Sequence, residues 1–239
     1  MNHVIFLDGQ YLKVTSRFIQ ARSPGHFKAK GVFETMLGTG GFVMDAAQHL
    51  GRLRAGLRVL GIKPPSINPL ILREVLKRNR LDLARVRLMV WKEGSQAHVM
   101  ATALPYKISD KSARACLIKT NRGAGSRLSE VKSLDYELFA SAYSQARARG
   151  LDEAILLNAK GHIFEASRAN IFWIKDSVLF TPPLSSGCLN GITRRQVMKQ
   201  ARHLKIRLKE RNLTPQELKS ADSVFLTNSL IGIKPIVIV

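Results

Sequence analysis

The sequence predicts a mixed α/β fold in two domains. Three observations carry that prediction. Short apolar runs bounded by turn residues occur in both halves, helical stripes of apolar residues lie between them, and a polar stretch without periodicity sits near the middle. That stretch, Pro105 to Ala113, divides a smaller N-terminal domain, residues 1–108, from a larger C-terminal one, residues 109–239. At 239 residues the chain is long enough to bury one large core or two small ones.

Val4 to Leu7 is a short apolar run, and Asp8-Gly9-Gln10 a hairpin turn after it. Residues 32–44 give further strands around Gly38, Gly40 and Gly41. Ala46, Leu50, Leu53, Leu57 and Leu60 fall at helical spacing, and Gly61 stands where a glycine ends a helix. Asn68-Pro69 reads as an N-cap with proline at the first helical position, opening a helix through Leu72, Val75 and Leu76. Arg85 to Trp91 and Ala97 to Leu104 are strands joined across Glu93-Gly94-Ser95.

In the second half a strand near Cys116–Lys119 leads into a basic, glycine-bearing loop, Asn121 to Ser129. A helix is predicted from about Leu134 to Arg149, stopped by Gly150. Four strands follow, at Glu153–Leu157, His162–Glu165, Ile171–Ile174 and Val178–Phe180, with Ala159-Lys160-Gly161 and Lys175-Asp176-Ser177 as tight connections. Another helix opens near Gly191 with Val197, Ala201 and Leu204 on one face. Thr214-Pro215-Gln216-Glu217 is a capping box with Leu213 and Leu218 as its hydrophobic staple. Val224–Leu226 and Pro235–Val239 complete the strands.

Hydrophobic residues make up 45% and charged residues 23%, an ordinary balance for a globular protein. No apolar run approaches the length of a membrane span, and Met1 to Asp8 lacks the basic-then-apolar pattern of a secretory leader, so a cytoplasmic protein is expected. Cys116 and Cys188 make neither a metal-ligand spacing nor a disulfide framework. With 38 Lys+Arg against 17 Asp+Glu, the net charge is +21, a balance found in nucleic-acid binders. Here the basic residues are scattered from Arg17 to Lys234 and lack interleaved aromatics, which argues against nucleic acid. The reading is a solvated basic surface that would also steer anionic substrates.

Four segments carry the chemistry. They are Gly31-Val32-Phe33-Glu34-Thr35; His49-Leu50-Gly51-Arg52-Leu53; Lys132-Ser133-Leu134-Asp135-Tyr136; and a block from Asp152 through Glu165-Ala166-Ser167-Arg168-Ala169-Asn170-Ile171-Phe172 to Gly191-Ile192-Thr193-Arg194. In order and approximate spacing they resemble the fold-type IV pyridoxal-phosphate (PLP) enzymes, the class IV aminotransferases and their lyase relatives. The resemblance covers most of the chain and is dense from Lys132 to Arg195. It implies a two-domain fold like that of D-amino-acid aminotransferase, PLP as cofactor, and a homodimer whose active sites lie between domains.

The resemblance also implies roles. Lys132 is the Schiff-base lysine, later moving protons at the substrate carbon; neighbouring Val131 and Leu134 suit the desolvation that depresses an amine pKa. Glu165 faces the pyridine nitrogen and keeps it protonated. Ile192 and Thr193, opening a helix, hold the phosphate through backbone N–H groups, with the Thr193 hydroxyl added. Thr227-Asn228-Ser229 is a second phosphate-contacting turn. Arg52 matches the arginine that pairs with the phosphate; the alternative is a solvated helix arginine like Arg54 or Arg58. Tyr136 matches a tyrosine that bonds the ring hydroxyl, with a packing role as its alternative. His49, bordering the apolar stripe, reads as structural.

Among family members, Phe225-Leu226-Thr227-Asn228-Ser229-Leu230 and Lys132-Ser133-Leu134 are most similar to 4-amino-4-deoxychorismate lyases. That implies elimination of pyruvate from a small anionic amine, leaving 4-aminobenzoate. A branched-chain or D-amino-acid aminotransferase is the alternative. Outside the enzymes stand an inactive PLP-binding relative and a basic nucleic-acid-associated protein. The stretch between Arg87 and Pro105 lacks the Arg/Gly-rich loop with which many relatives bind substrate carboxylate.

Overall fold

The protein was analysed as a computed structural model that describes residues 2–122 and 130–239. The glycine-bearing loop anticipated at 121–129 lies, beyond Arg122, outside the described residues. Two compact units are present. The first comprises Met1–Ser109 and Val131–Glu137, the second Asp110–Glu130 and Leu138–Val239. The short Lys132 segment therefore belongs with the first unit although it follows the linker in sequence.

The first unit is built on six antiparallel strands. Asn2–Leu7 (β1) and Gln10–Thr15 (β2) form a hairpin across Asp8-Gly9. A one-turn-and-a-half helix that gave no sequence signal, Ser16–Ala21 (α1), is capped by Thr15. Lys30–Thr39 (β3) turns at Gly40-Gly41 into Phe42–Val43 (β4). Leu83–Glu93 (β5) and Gln96–Pro105 (β6) make a long hairpin, and the sheet order is β2-β1-β6-β5-β3-β4.

Period-2 alternation assigns the two faces of this sheet. Val32 and Met36 of β3 and Val86, Leu88 and Val90 of β5 pack against two helices, Ala46–Val59 (α2) and Leu70–Arg78 (α3). Phe33, Met89 and Trp91 go to the opposite face with Ile5, Ile19, Met100 and Leu134. Helix α2 ends as its glycine requires: Gly61 has φ 66°, its N–H bonds the Arg58 carbonyl, and Ile62 N–H reaches back to Leu57. Helix α3 starts at Leu70, one residue later than expected, so Pro69 rather than Asn68 takes the cap position, and the Asn68 side chain accepts the Leu70 N–H at 3.0 Å.

The second unit is an eight-stranded mixed sheet with order β12-β11-β10-β13-β14-β7-β8-β9. Its strands are Ala113–Lys119 (β7), Glu153–Leu157 (β8), Ile163–Ala166 (β9), Asn170–Lys175 (β10), Val178–Thr181 (β11), Leu208–Glu210 (β12), Ser223–Asn228 (β13) and Gly232–Ile238 (β14). Its helices are Glu137–Ala148 (α4), Ile192–His203 (α5) and Pro215–Lys219 (α6). Ile171, Trp173 and Leu226 pack with Leu213 and Leu218 on one face, while Phe172 packs with Met198 and Ala201 of α5 on the other.

Three further details differ from the sequence expectation. Helix α4 starts at Glu137 rather than Leu134, because residues 132–134 spend their backbone bonding on β3: Phe33 N–H bonds Lys132 O and Leu134 N–H bonds Gly31 O, both at 2.9 Å. Tyr136 is consequently outside the helix. The buried side of α5 is Ile192, Arg194, Met198 and Ala201, whereas Leu204 is 58% exposed just past its end. Thr227 and Asn228 lie inside β13, not in a loop.

The capping box at α6 is complete, with Thr214 accepting from Glu217 N–H and the Glu217 carboxylate accepting from Thr214 N–H. Thr214→Ala is expected to destabilise the protein by about 1 kcal/mol. A lower denaturant midpoint at unchanged slope checks it.

Candidate active site

In the first unit, the site begins with an edge. The segment Val131–Leu134 runs antiparallel along Gly31–Phe33, bridging Val32 to Ser133. Gly31 is required there, because a Cβ would collide with the Val90 carbonyl and the Trp91 Cα of β5. Val131 is buried in the core under α2 and Leu134 in the core on the other face, so Lys132 between them has little freedom of register. Its Nζ lies 4.5 Å from the centroid of the Phe33 ring and 5.4 Å from that of Tyr136. Those two rings meet edge to face at 5.2 Å. The lysine amine is thus held against an aromatic wall, where a cation gains from the ring faces and loses water.

Arg87 shares that face, and sequence reasoning gave it no role. It stands opposite Thr35 on β5, with its guanidinium carbon 5.7 Å from the Phe33 centroid. Its Nε is buried and has no hydrogen-bond partner among the described residues. Burial first, then the charge of Arg85, pushes its pKa down to about 9, against an upward pull from Tyr136. A guanidinium placed like this is ready to receive an anion. The signal was its place in the alternation Arg85-Val86-Arg87-Leu88, which puts an arginine on a core-bearing face.

Glu34 points the other way along β3, toward α2. Its Oε1 accepts from Arg52 Nε at 2.8 Å, and its Oε2 accepts from Arg52 Nη2 at 2.6 Å and His49 Nδ1 at 2.7 Å. His49 and Arg52 are three residues apart and so share a face of α2. Glu34 and His49 are fully buried, and the Arg52 side chain is 13% exposed. Burial alone would raise the Glu34 pKa, but the Arg52 charge and the hydrogen bonds from Arg52 and His49 prevail and hold it at about 2. Arg52, off the apolar stripe, is therefore neither a solvated arginine nor undirected: Glu34 orients it.

In the second unit, Glu165 on β9 is buried, and its Oε2 accepts the Leu189 N–H at 3.1 Å. The Leu189 carbonyl in turn accepts from Asn170 Nδ2 at 2.8 Å. Leu189 to Gly191 leads into α5, and a Cβ on Gly191 would collide with the Asn170 amide oxygen. Asn170 and Thr227 pair across β10 and β13, and both lie on the α5 face with Phe172 and Phe225. Four pieces meet here: the Glu165 carboxylate, the start of α5 at Ile192 and Thr193, the Asn170 amide and Thr227.

The first N–H groups of a helix lack intrahelical partners, and α5 has no side-chain cap at Gly191. The Thr227 hydroxyl is buried without a hydrogen-bond partner among the described residues. Amides without intrahelical partners and an orphaned hydroxyl at one helix N-terminus suit a phosphate. Buried Arg194 secures the helix, donating through Nη2 to the Pro182 carbonyl at 3.0 Å and to Glu210 at 2.7 Å. Cys188 is a packing group: burial first, then the Glu165 charge, pushes its thiol up to about 12. The Asn228 side chain is committed locally, donating to Arg168 O at 3.0 Å and accepting from Leu230 and Ile231 N–H at 2.8 and 3.0 Å. Only its backbone remains for a phosphate.

A buried carboxylate beside a phosphate cradle, on a mixed sheet, fits the phosphorylated pyridine of PLP enzymes with fold type IV. The chain belongs to the family of class IV amino-transferases, whose profile matches residues 31–239; these are PLP-dependent enzymes. It is 30% identical over 218 residues to the branched-chain-amino-acid aminotransferase of Salmonella typhimurium, covering 82% of this chain and 71% of that one. The branched-chain aminotransferase of Thermoproteus uzoniensis, crystallised with norvaline, superposes with TM-score 0.85 at 29% identity, covering 100% of this chain and 88% of the other. A Legionella pneumophila protein, provisionally assigned as a 4-amino-4-deoxychorismate lyase, gives TM-score 0.81 at 28% identity over 88% of this chain and 83% of its own.

Proposed function

We propose that the protein is a PLP-dependent lyase converting 4-amino-4-deoxychorismate to 4-aminobenzoate and pyruvate. The observation that carries this reading is the turn after Thr227. It is closed by the Asn228 side chain, and it ends the segment Phe225-Leu226-Thr227-Asn228-Ser229-Leu230 that resembles the lyases. When bound, PLP supplies an electron-accepting ring that stabilises negative charge on the substrate carbon.

The chain's own residues do the rest. Glu165 holds the proton on the ring nitrogen. Ile192 and Thr193 bind the phosphate through their amides, the Thr193 and Thr227 hydroxyls add to them, the Asn228 backbone lines the turn, and Arg52 supplies the charge. Tyr136 would hold the ring hydroxyl. Lys132 would hold the cofactor through its amine, and, set free when the substrate amine takes its place, would take the proton from the amine-bearing carbon of the substrate. Loss of the enolpyruvyl ether as pyruvate, which regains that proton, makes the ring aromatic, so atoms balance without a second substrate. Arg87 binds a substrate carboxylate, replacing the anion-binding loop that is short in this chain. A cytoplasmic homodimer belongs to the same reading.

Branched-chain transamination is the second reading, favoured by the names of the Salmonella and Thermoproteus relatives. One experiment separates the two. With 4-amino-4-deoxychorismate and no keto acid, the lyase releases pyruvate and 4-aminobenzoate in equal amounts over many turnovers. If leucine instead bleaches the cofactor band, 2-oxoglutarate restores it, and no aromatic product forms, the protein is a transaminase.

A further inference from the structure

We propose that Glu34 is a positioning residue for Arg52, fixing the guanidinium that meets the phosphate of the cofactor. The inference rests on the reading of Arg52 given above and deepens it. A carboxylate almost wholly out of water is costly, and a buried ion pair is weak evidence of stabilisation, since apolar replacements often fold as well. Stability therefore does not account for Glu34 on a strand whose neighbours on that face are Val32 and Met36.

Geometry gives the account. Arginine is a planar fork of five donors, and Glu34 takes two of them side by side, at Nε and Nη2. That two-point grip fixes the plane of the guanidinium as well as its position. The Nη1 edge is then directed away from Glu34. His49 completes the arrangement from the interior: its Nδ1 on Oε2 holds the carboxylate in turn, and its ring is fully buried. The Arg52 charge and the hydrogen bonds from Arg52 and His49 favour the ionised Glu34 carboxylate, so the grip persists at neutral pH. A long side chain ordered in advance loses less entropy when an anion binds.

The test uses apoprotein titrated separately with pyridoxal 5'-phosphate and with pyridoxal, which lacks the phosphate. Arg52→Ala is expected to weaken pyridoxal phosphate roughly 10- to 150-fold, as for loss of a charge-assisted hydrogen bond. Glu34→Gln is expected to weaken it roughly 2- to 12-fold by loosening one side chain, with pyridoxal binding unchanged. Added to Arg52→Ala, it should cost nothing more. Equal weakening of both ligands by Glu34→Gln would mark a merely structural residue. Unchanged binding in that variant, with Arg52→Ala still weakened, would overturn the role of Glu34 alone. Unchanged phosphate binding in Arg52→Ala would remove the reading beneath it as well. If Glu34→Gln does not fold, Glu34→Asp takes its place, retaining the charge but too short for the same grip, and is judged by the same comparison.

Discussion

Replacing Lys132 with alanine is expected to leave no measurable turnover, a loss of at least 10²–10⁴-fold on the order of what a positioned proton-transfer group contributes. The expectation rests on placement. Lys132 is held in register by backbone bonds to Gly31 and Phe33, on either side of Val32, and its amine lies on the Phe33–Tyr136 wall. Borohydride treatment of the wild type should fix a pyridoxyl group on this lysine, identified by peptide mass mapping. In a chain with 17 lysines the result is discriminating, because adventitious reaction would spread over many amines. A label on any other lysine, or a Lys132→Ala protein that still turns over, would end the assignment.

Glu165→Gln is expected to lower kcat on the order of 10²–10³-fold, the scale on which removal of one preorganised electrostatic group acts. An amide cannot hold a proton on the ring nitrogen. It can still accept the Leu189 N–H that Glu165 accepts at 3.1 Å, so the approach to α5 should keep its shape. Cofactor content, measured by absorbance after gel filtration, should therefore stay near that of the wild type while turnover collapses. If both fell together, Glu165 would be a scaffold residue. If neither fell, the carboxylate would have no part in the reaction.

What the sequence disclosed was local. The Asp8-Gly9 hairpin, the Gly61 helix end and the Thr214 capping box each depend on residues a few positions apart, and each formed where those residues stand. What it concealed was tertiary. The start of α4 was misplaced because the backbone of 132–134 bonds to a strand far away in sequence. The inner face of α5 was misjudged because one of its buried residues, Arg194, is charged. The candidate site divides the same way. Motif spacing pointed to Lys132, Glu165 and the Gly191 turn, but the partners that orient them come from elsewhere in the chain. Asn170 and Thr227 are joined only by sheet pairing, and Glu34 and Arg52 only by a helix crossing a strand. Arg87 carried a charge on a strand face where pattern reading expects an apolar side chain.

The pairing of Val131–Leu134 with β3 also orders events in time. Ser133 and Gly31, joined there, stand 102 residues apart in sequence. Closing so long a loop costs only modestly more entropy than closing a shorter one, but it must await synthesis of both ends. Until residue 134 is available, β3 keeps a bare edge at Gly31–Phe33, and the core on that face lacks Leu134, which is 1% exposed in the finished fold. The event that completes this core is the one that places Lys132. On the proposed role of Lys132, a growing chain with an unfinished first unit would offer no seated lysine to a reactive aldehyde, and capture of the cofactor would wait until this core is closed.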